Sequence, residues 1–369
     1  MADPVVTFVV PCYRLAHLLP DCVRSILAQT FEDLEVLIMD DCSPDDTPAV
    51  AASFGDPRVR HVRNDPNLGH LRNYNKGIGL ARGRYVWLIS ADDYLRRPYV
   101  LERYVELLER RPRVGYAFCA GVAVRDGAEA GVVDWAYSAP ADRVFSGHEW
   151  LKTLLQGNVV LAPSGLVRKE CYDAHGAFPL DLPWAGDWYL WCLFALHHDA
   201  AWFTEPMVCY RDHSLSMTTQ LTREKAEACC REEIFIPWEL KRRADAAGYR
   251  DVARECLRAV AGRYVRHVTS RRFGRPEPCL TIADFEASLA SSPASARERA
   301  WVRSLVYAEI ADRHYWKGEL GPARELYGAA LRADPWSGST ASKRALLAMG
   351  GVGQAVRKGI HSLSAWRRG

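Results

Sequence analysis

Apolar, largely β-branched residues run from Val5 to Val10 and stop at Pro11, and a second such run, Leu34 to Met39, stops at Asp40-Asp41. Between them Leu18, Leu19, Val23, Ile26 and Leu27 recur at helical spacing within 15–29, which predicts strand, helix, strand. The alternation continues with a helix over 47–54, a short strand over 59–63, a helix over 71–80, a strand over 85–89 and a helix over 98–109. Such a succession predicts a doubly wound α/β sheet, whose ligands bind beyond the carboxyl ends of the strands. That rule singles out 11–14, 40–46 and 90–94.

From about Thr222 the pattern changes to long charged helical stretches, 223–246, 251–268, 295–315 and 323–333, with few strand signals. Two domains are therefore expected, a sheet domain over 1–220 and a helical domain over 221–369, in line with the size at which single cores stop growing. Residues 316–335 have the texture of the second half of a tetratricopeptide repeat, but one copy does not make a solenoid, so a helical hairpin is the expectation.

The 369 residues carry 48 Lys plus Arg against 45 Asp plus Glu and are 49% hydrophobic, an ordinary globular composition. The apolar runs fall well short of the roughly 18 residues of a membrane span, and no basic region precedes a long apolar segment at the N-terminus, so a cytoplasmic protein is expected. Eleven scattered cysteines without a C-x-x-C pair argue for reduced, buried thiols rather than a disulfide framework or zinc site. The net charge of +3 is uneven: beyond Asp334 there is no acid, and six Lys and Arg stand there. With Val352, Val356, Ile360, Leu363 and Trp366 they make the tail basic and amphipathic, either a packed terminal helix or a peripheral contact with an anionic membrane surface. Nucleic acid is not an expected partner, because these basic residues lack interleaved aromatics on a sheet.

Two Asp-Asp pairs close strands of one sheet, Asp40-Asp41 and Asp92-Asp93. Carboxylates there suit hydrogen bonds from a base ring or ribose and a hard divalent cation on a diphosphate; capping of the next helix is the plain alternative. The ordered set Val-Val-Pro-Cys-Tyr-Arg, Ser25–Phe31, Leu-Ile-Met-Asp-Asp-Cys-Ser-Pro-Asp, Asn67-Leu68-Gly69, Asn75-Lys76-Gly77, Ala81–Tyr85 and Ser-Ala-Asp-Asp closely resembles the family 2 glycosyltransferases, inverting nucleotide-sugar enzymes of the GT-A fold. The resemblance covers roughly residues 4–220.

It implies a Rossmann-like mixed sheet followed by helices, with Pro11, Tyr13 and Asp41 lining a uracil or thymine pocket, Asp93 ligating Mg²⁺ or Mn²⁺, and Asp92 toward ribose or sugar. Three positions depart from the family pattern: Arg14 where Asn is usual, Ser90 where Asp is frequent, and Tyr74 where Arg commonly precedes Asn75. Arg14, Arg72 and Asn75 join the donor-binding expectation, Arg72 as the phosphate contact that Tyr74 cannot supply. Pro183–Trp191 resembles the family's Glu-Asp segment with Gly186 in place of the glutamate, which makes Asp187 the expected general base, since inverting transfer needs one carboxylate to take the acceptor proton. Cys209–Ser216 resembles the closing Tyr-Arg-x-His-x-x-Ser segment, giving Arg211 to the diphosphate and His213 to the metal. Trp184 and Trp188 are expected as an acceptor platform.

The implied activity is metal-dependent transfer of a sugar from a UDP- or dTDP-sugar to a hydroxyl or amine of a saccharide, lipid-linked or natural-product acceptor. The alternative is a catalytically degenerate nucleotide-binding scaffold acting through its helices. Those helices either form a homodimer interface or cover the acceptor cleft.

Overall fold

The computed structural model describes residues 3–213, 216–272, 275–349 and 356. The chain divides into two compact units, Met1–Leu221 and Thr222–Gly369.

The first unit is built on β1 (Val6–Cys12), β2 (Leu34–Asp40), β3 (Val59–Arg63), β4 (Tyr85–Leu88), β5 (Tyr94–Leu95), β6 (Val114–Arg125), β7 (Ala128–Val132), β8 (Arg143–Phe145), β9 (Leu166–Arg168) and β10 (Asp199–Arg211). They form one mixed sheet in the order β3-β2-β1-β4-β9-β6-β10-β5, with β7 on β6 and β8 on β10. Strands β3, β2, β1 and β4 are mutually parallel, and β9 runs antiparallel between β4 and β6. Every residue of β1 and β2 is buried, as unbroken apolar runs require when helices cover both faces of a sheet.

Helices α1 (Leu19–Leu27), α2 (Thr47–Ala52), α3 (His70–Leu80) and α4 (Val100–Arg110) alternate with the first strands, and α5 (Gly147–Leu154), α6 (Lys169–His175) and α7 (Gly186–His197) with the later ones. Helix α1 starts later than the hydrophobic pattern predicts, with Pro20 in its first turn, where a missing N–H costs nothing. Helix α4 buries Val100, Leu101, Tyr104, Val105 and Leu108 at helical spacing. Helix α7 is buried from Trp188 to Leu196 on all sides, which makes it a central helix rather than a surface one.

The second unit holds α9 (Ala226–Ala246), α10 (Arg250–Thr269), α11 (Ile282–Ser291), α12 (Ala296–Trp316), α13 (Leu320–Ala333) and α14 (Gly338–Ala348); the short α8 (Met217–Glu224) spans the division. The stretch expected as one helix over 223–246 is thus broken near Lys225. Helices α11 and α12 each begin with a capping box, Thr281 with Asp284 and Ser295 with Glu298. Helices α12 and α13 form the expected hairpin, turning at Gly318 with φ of 83°. Inside this unit the buried Glu233 meets His267, Arg263 and Arg272, which together keep its carboxyl low, at about 2, against the cost of burial. Among the described residues no helix is long and apolar enough to cross a membrane. Apart from Val356, the amphipathic part of the basic tail lies outside them. All eleven cysteines are free thiols, and only Cys42 is not fully buried.

At the amino-terminal edge of the parallel strands, Thr7 Oγ1 donates to Glu35 (2.7 Å) and accepts from Gly83 N (2.8 Å), while the Arg82 guanidinium closes on Glu35 (2.6 Å). A Cβ on Gly83 would stand 2.5 Å from Thr7 N, so only glycine lets this turn approach β1. Gly83→Ala is therefore expected to lower stability by about 1–3 kcal/mol in urea unfolding; an unchanged midpoint would mean that the turn can move away.

Candidate active site

The loops that follow β1, β2 and β4, together with the ends of β6 and β10, surround a cleft of about 1150 Å³. Pro11, Tyr13 and Arg14 enter from β1, Asp41 from β2, Ser90 and Asp92 from β4, Tyr74 from α3, and Arg211 and His213 from β10.

After β2 the two adjacent carboxylates do different work. Asp40 is buried and paired to Arg63 (2.7 Å) and His61 (3.1 Å), and it accepts the Ser43 amide, so it shapes the turn. Asp41 faces the cleft but already holds the next loop: Oδ1 accepts from Asn64 Nδ2 (2.9 Å) and Leu68 N (2.8 Å), and Oδ2 from Gly69 N (2.9 Å). Gly69 takes φ of 77° to make that contact. Oδ2 keeps acceptor capacity for a ligand. Asn64 is in turn held by Asn73 and Lys76. Tyr13 is 42% exposed at the mouth, with the Arg14 guanidinium 5.1 Å from its ring centre. Arg14 sits at φ of 60°, its amide on Ser43 Oγ, a left-handed backbone that a non-glycine residue keeps only when its surroundings impose it.

After β4 the two carboxylates also part. Asp92 lines the cleft; its Oδ2 meets His213 Nε2 at 3.0 Å, and its buried Oδ1 has no protein partner among the described residues. Burial works against its charge, but His213 and then the Ser90 hydroxyl outweigh that together and hold the carboxyl below its ordinary value; the Asp92 contact lifts His213. Asp93 does not line the cleft. Its Oδ1 accepts the Arg211 amide (2.9 Å), and burial, then the neighbouring Asp92 charge, push it well above the carboxylate range. The cleft-facing carboxylate is thus Asp92 rather than the expected Asp93, because the turn after Ser90 aims one side chain outward and folds the next beneath β10. The Arg211 guanidinium is committed to Asp92 O (2.8 Å) and Asp21 (2.5 Å), so it braces the loop.

Asp187 stands at the start of α7, half-buried and outside the residues that line the cleft. Oδ1 accepts the Trp188 amide (2.7 Å) and Oδ2 accepts from Asn158 Nδ2 (3.0 Å). Burial raises its carboxyl to about 6 against those two hydrogen bonds. The charges of Asp92, Asp93 and Asp187 all act on the Tyr74 and Tyr210 phenols, which places the three carboxylates around the same two rings.

Besides Asp93 and Asp187, four further expected residues are elsewhere. Arg72 is exposed on α3, outside the cleft lining. Asn75 clamps the backbone of Phe178, donating to its carbonyl (2.8 Å) and accepting its amide (2.9 Å). Trp188 is 2% exposed with its indole N–H on Leu154 O, a core side chain rather than a platform. Trp184 is half-buried and does not line the cleft. Conversely, Asn64, Asn73 and Asn158 escaped the sequence reading.

A divalent cation fits this donor set. Asp92 offers an unpartnered buried oxygen and His213 an imidazole beside it, and among the described residues no group of three or more acidic, His or Cys side chains could enclose a metal. Two protein ligands, with the rest from phosphate and water, is how Mg²⁺ is commonly held.

Residues 7–145 match the family model for glycosyl transferase family 2. That stretch, within the first unit, is the part of the chain that the family model covers. A stretch of this chain is 45% identical over 103 residues to the succinoglycan biosynthesis protein ExoO of Rhizobium meliloti, which is 28% of this chain and 29% of that protein. Another is 25% identical over 236 residues to an uncharacterised glycosyltransferase of Haemophilus influenzae, 61% of this chain and 70% of that one. The chain therefore spans less than a third of the first of these relatives. The crystal structure of residues 1–349 of S. aureus TarS in complex with UDP-GlcNAc superposes with a TM-score of 0.63 at 15% identity, covering 87% of this chain and 90% of that one, a likeness of fold.

Because Asn75 satisfies both polar groups of a loop residue, Asn75→Ala is expected to cost about 1–3 kcal/mol of stability while leaving nucleotide affinity within about twofold, read by urea unfolding and by calorimetric titration with UDP. Loss of affinity without loss of stability would return Asn75 to the donor site.

Proposed function

We propose that this chain is a family 2 glycosyltransferase that transfers a sugar, with inversion, from a UDP- or dTDP-sugar to a hydroxyl or amine of a saccharide, lipid-linked or small-molecule acceptor. The observation that carries this reading is the separation of roles among the carboxylates of one neighbourhood: Asp92 charged beside His213, and Asp187 raised to about 6. A general base works best when its pKa lies near the operating pH, so that it is ionised yet still basic.

Tyr13 offers the base a ring to stack on, and Asp41 Oδ2 an acceptor for its ring N–H, which uracil and thymine share. Arg14 at the rim, whose guanidinium rests on the Tyr13 ring, supplies positive charge for the phosphates. Asp92 and His213 would hold Mg²⁺ or Mn²⁺, and a cation bound there supplies charge to stabilise a departing diphosphate. Asp187 takes the acceptor's proton as the acceptor oxygen or nitrogen bonds to the anomeric carbon; the bond from that carbon to the diphosphate breaks, and its electron pair leaves with the nucleotide. No covalent enzyme intermediate is needed. TarS binding UDP-GlcNAc and ExoO acting in succinoglycan biosynthesis support a uridine donor and a saccharide acceptor.

The test is calorimetric titration of the full chain with UDP, dTDP, GDP and ADP, with and without Mn²⁺. Binding is expected for UDP or dTDP and to tighten with Mn²⁺. Asp92→Asn should abolish the Mn²⁺ effect, whereas Asp93→Asn, which mimics the protonated side chain beneath the loop, should retain it. Equal binding of all four nucleotides, or an unchanged Mn²⁺ effect in Asp92→Asn, would contradict the reading.

A further inference from the structure

Asp187 is held from two sides, and one of them lies far away in sequence. Asn158, in the loop after α5, donates Nδ2–H to Asp187 Oδ2 at 3.0 Å. Its own Oδ1 accepts the Val160 amide at 3.2 Å, which fixes the amide so that its NH₂ end faces the carboxylate; the flipped amide would set two oxygens against each other. The other side is the Trp188 amide in the first turn of α7, where the helix favours negative charge.

We propose that Asn158 is a positioning residue for the transfer reaction, fixing the direction in which the Asp187 carboxylate presents its free lone pairs and keeping that carboxylate ionised. This rests on Asp187 being the base. With Oδ1 on the Trp188 amide and Oδ2 on the Asn158 amide, the carboxylate plane is set at both oxygens, as a base must be to meet an acceptor proton.

The surroundings leave this contact a large share of the control. Burial raises the Asp187 carboxyl, and the Trp188 and Asn158 hydrogen bonds are the chief influences that lower it. The titratable groups that feel its charge are Tyr74 of α3 and Tyr210 of β10, on which Asp92 and Asp93 beyond β4 also act. On the helices packed against α7, Glu149 of α5 is paired with Arg143, His148 of α5 bonds Leu196 O, and Lys169 of α6 is paired with Asp173 of the same helix.

The test labels the full chain with [γ-¹³C]aspartate and assigns the Asp187 carboxyl as the resonance missing in Asp187→Asn. In the native protein it should titrate at about 6. In Asn158→Ala the midpoint should rise by about one pH unit, a hydrogen bond to the charged form having been lost. The rate of UDP release from UDP-GlcNAc should then fall by about 5–10-fold at and below pH 6 but by less than about twofold at pH 8. Asn158→Asp, equal in size but adding a carboxylate 3 Å away, should move the midpoint higher still, which keeps the test usable if the alanine variant unfolds. A midpoint unmoved in both variants overturns the proposal. If the midpoint moves but Asp187→Asn still releases UDP at the native rate, Asn158 holds Asp187 without serving catalysis and the base assignment falls with it.

Discussion

The tie between the ends of β4 and β10 is the interaction on which the site depends. Strand β4 delivers two carboxylates in succession, and a turn there has no intrinsic reason to send one into the cleft and the other beneath it. The Arg211 amide bonding Asp93, the Arg211 guanidinium bonding the Asp92 carbonyl, and His213 meeting the Asp92 carboxylate together remove that ambiguity. Three bonds from two residues, Arg211 and His213, at one strand end thus orient the whole loop. The fold makes this economical: β5, immediately after the loop, pairs antiparallel with β10, so the two chain ends are already adjacent.

From that tie follows an electrostatic division of labour. Carboxylates close together in a partly dry site cannot all stay charged at equal cost. His213 and Ser90 hold Asp92 low against its burial, burial and then the Asp92 charge push Asp93 well up, and Asp187 lies between. Asp92 thus lines the cleft with a carboxylate held low, while Asp187, outside the lining, is held high by its burial. A similar split occurs after β2, where Asp40 is spent on Arg63 and Asp41 remains at the surface of the cleft.

Much of this was legible in the residue pattern. The unbroken runs at β1 and β2 announced a doubly covered parallel sheet, and the punctuation at Pro11, Asp41 and Ser90 marked the strand ends where the cleft opens. The order of motifs, rather than any single one, carried the family resemblance. What the pattern did not carry was direction. Neighbouring aspartates look alike in sequence, so the exchange between Asp92 and Asp93 needed the β10 contacts. On α3, Arg72 and Asn75 share a helix with Tyr74 but face other ways. Trp188 begins a helix that is apolar all round, which signals burial, and an acceptor platform was the wrong reading of it. Asn158 lies 29 residues from its partner in a loop without a motif, and only the folded chain brings the two together.

In the proposed mechanism Asp92 and His213 form the metal-facing end of a nucleotide-sugar cleft. Pulsed electron paramagnetic resonance of Mn²⁺ bound to the protein with UDP tests it most directly, because a coordinated imidazole imprints ¹⁴N modulation on the echo. The account predicts ¹⁴N modulation together with ³¹P coupling from the diphosphate, the former vanishing in His213→Gln. Phosphorus coupling without any nitrogen, unchanged by that substitution, would contradict it.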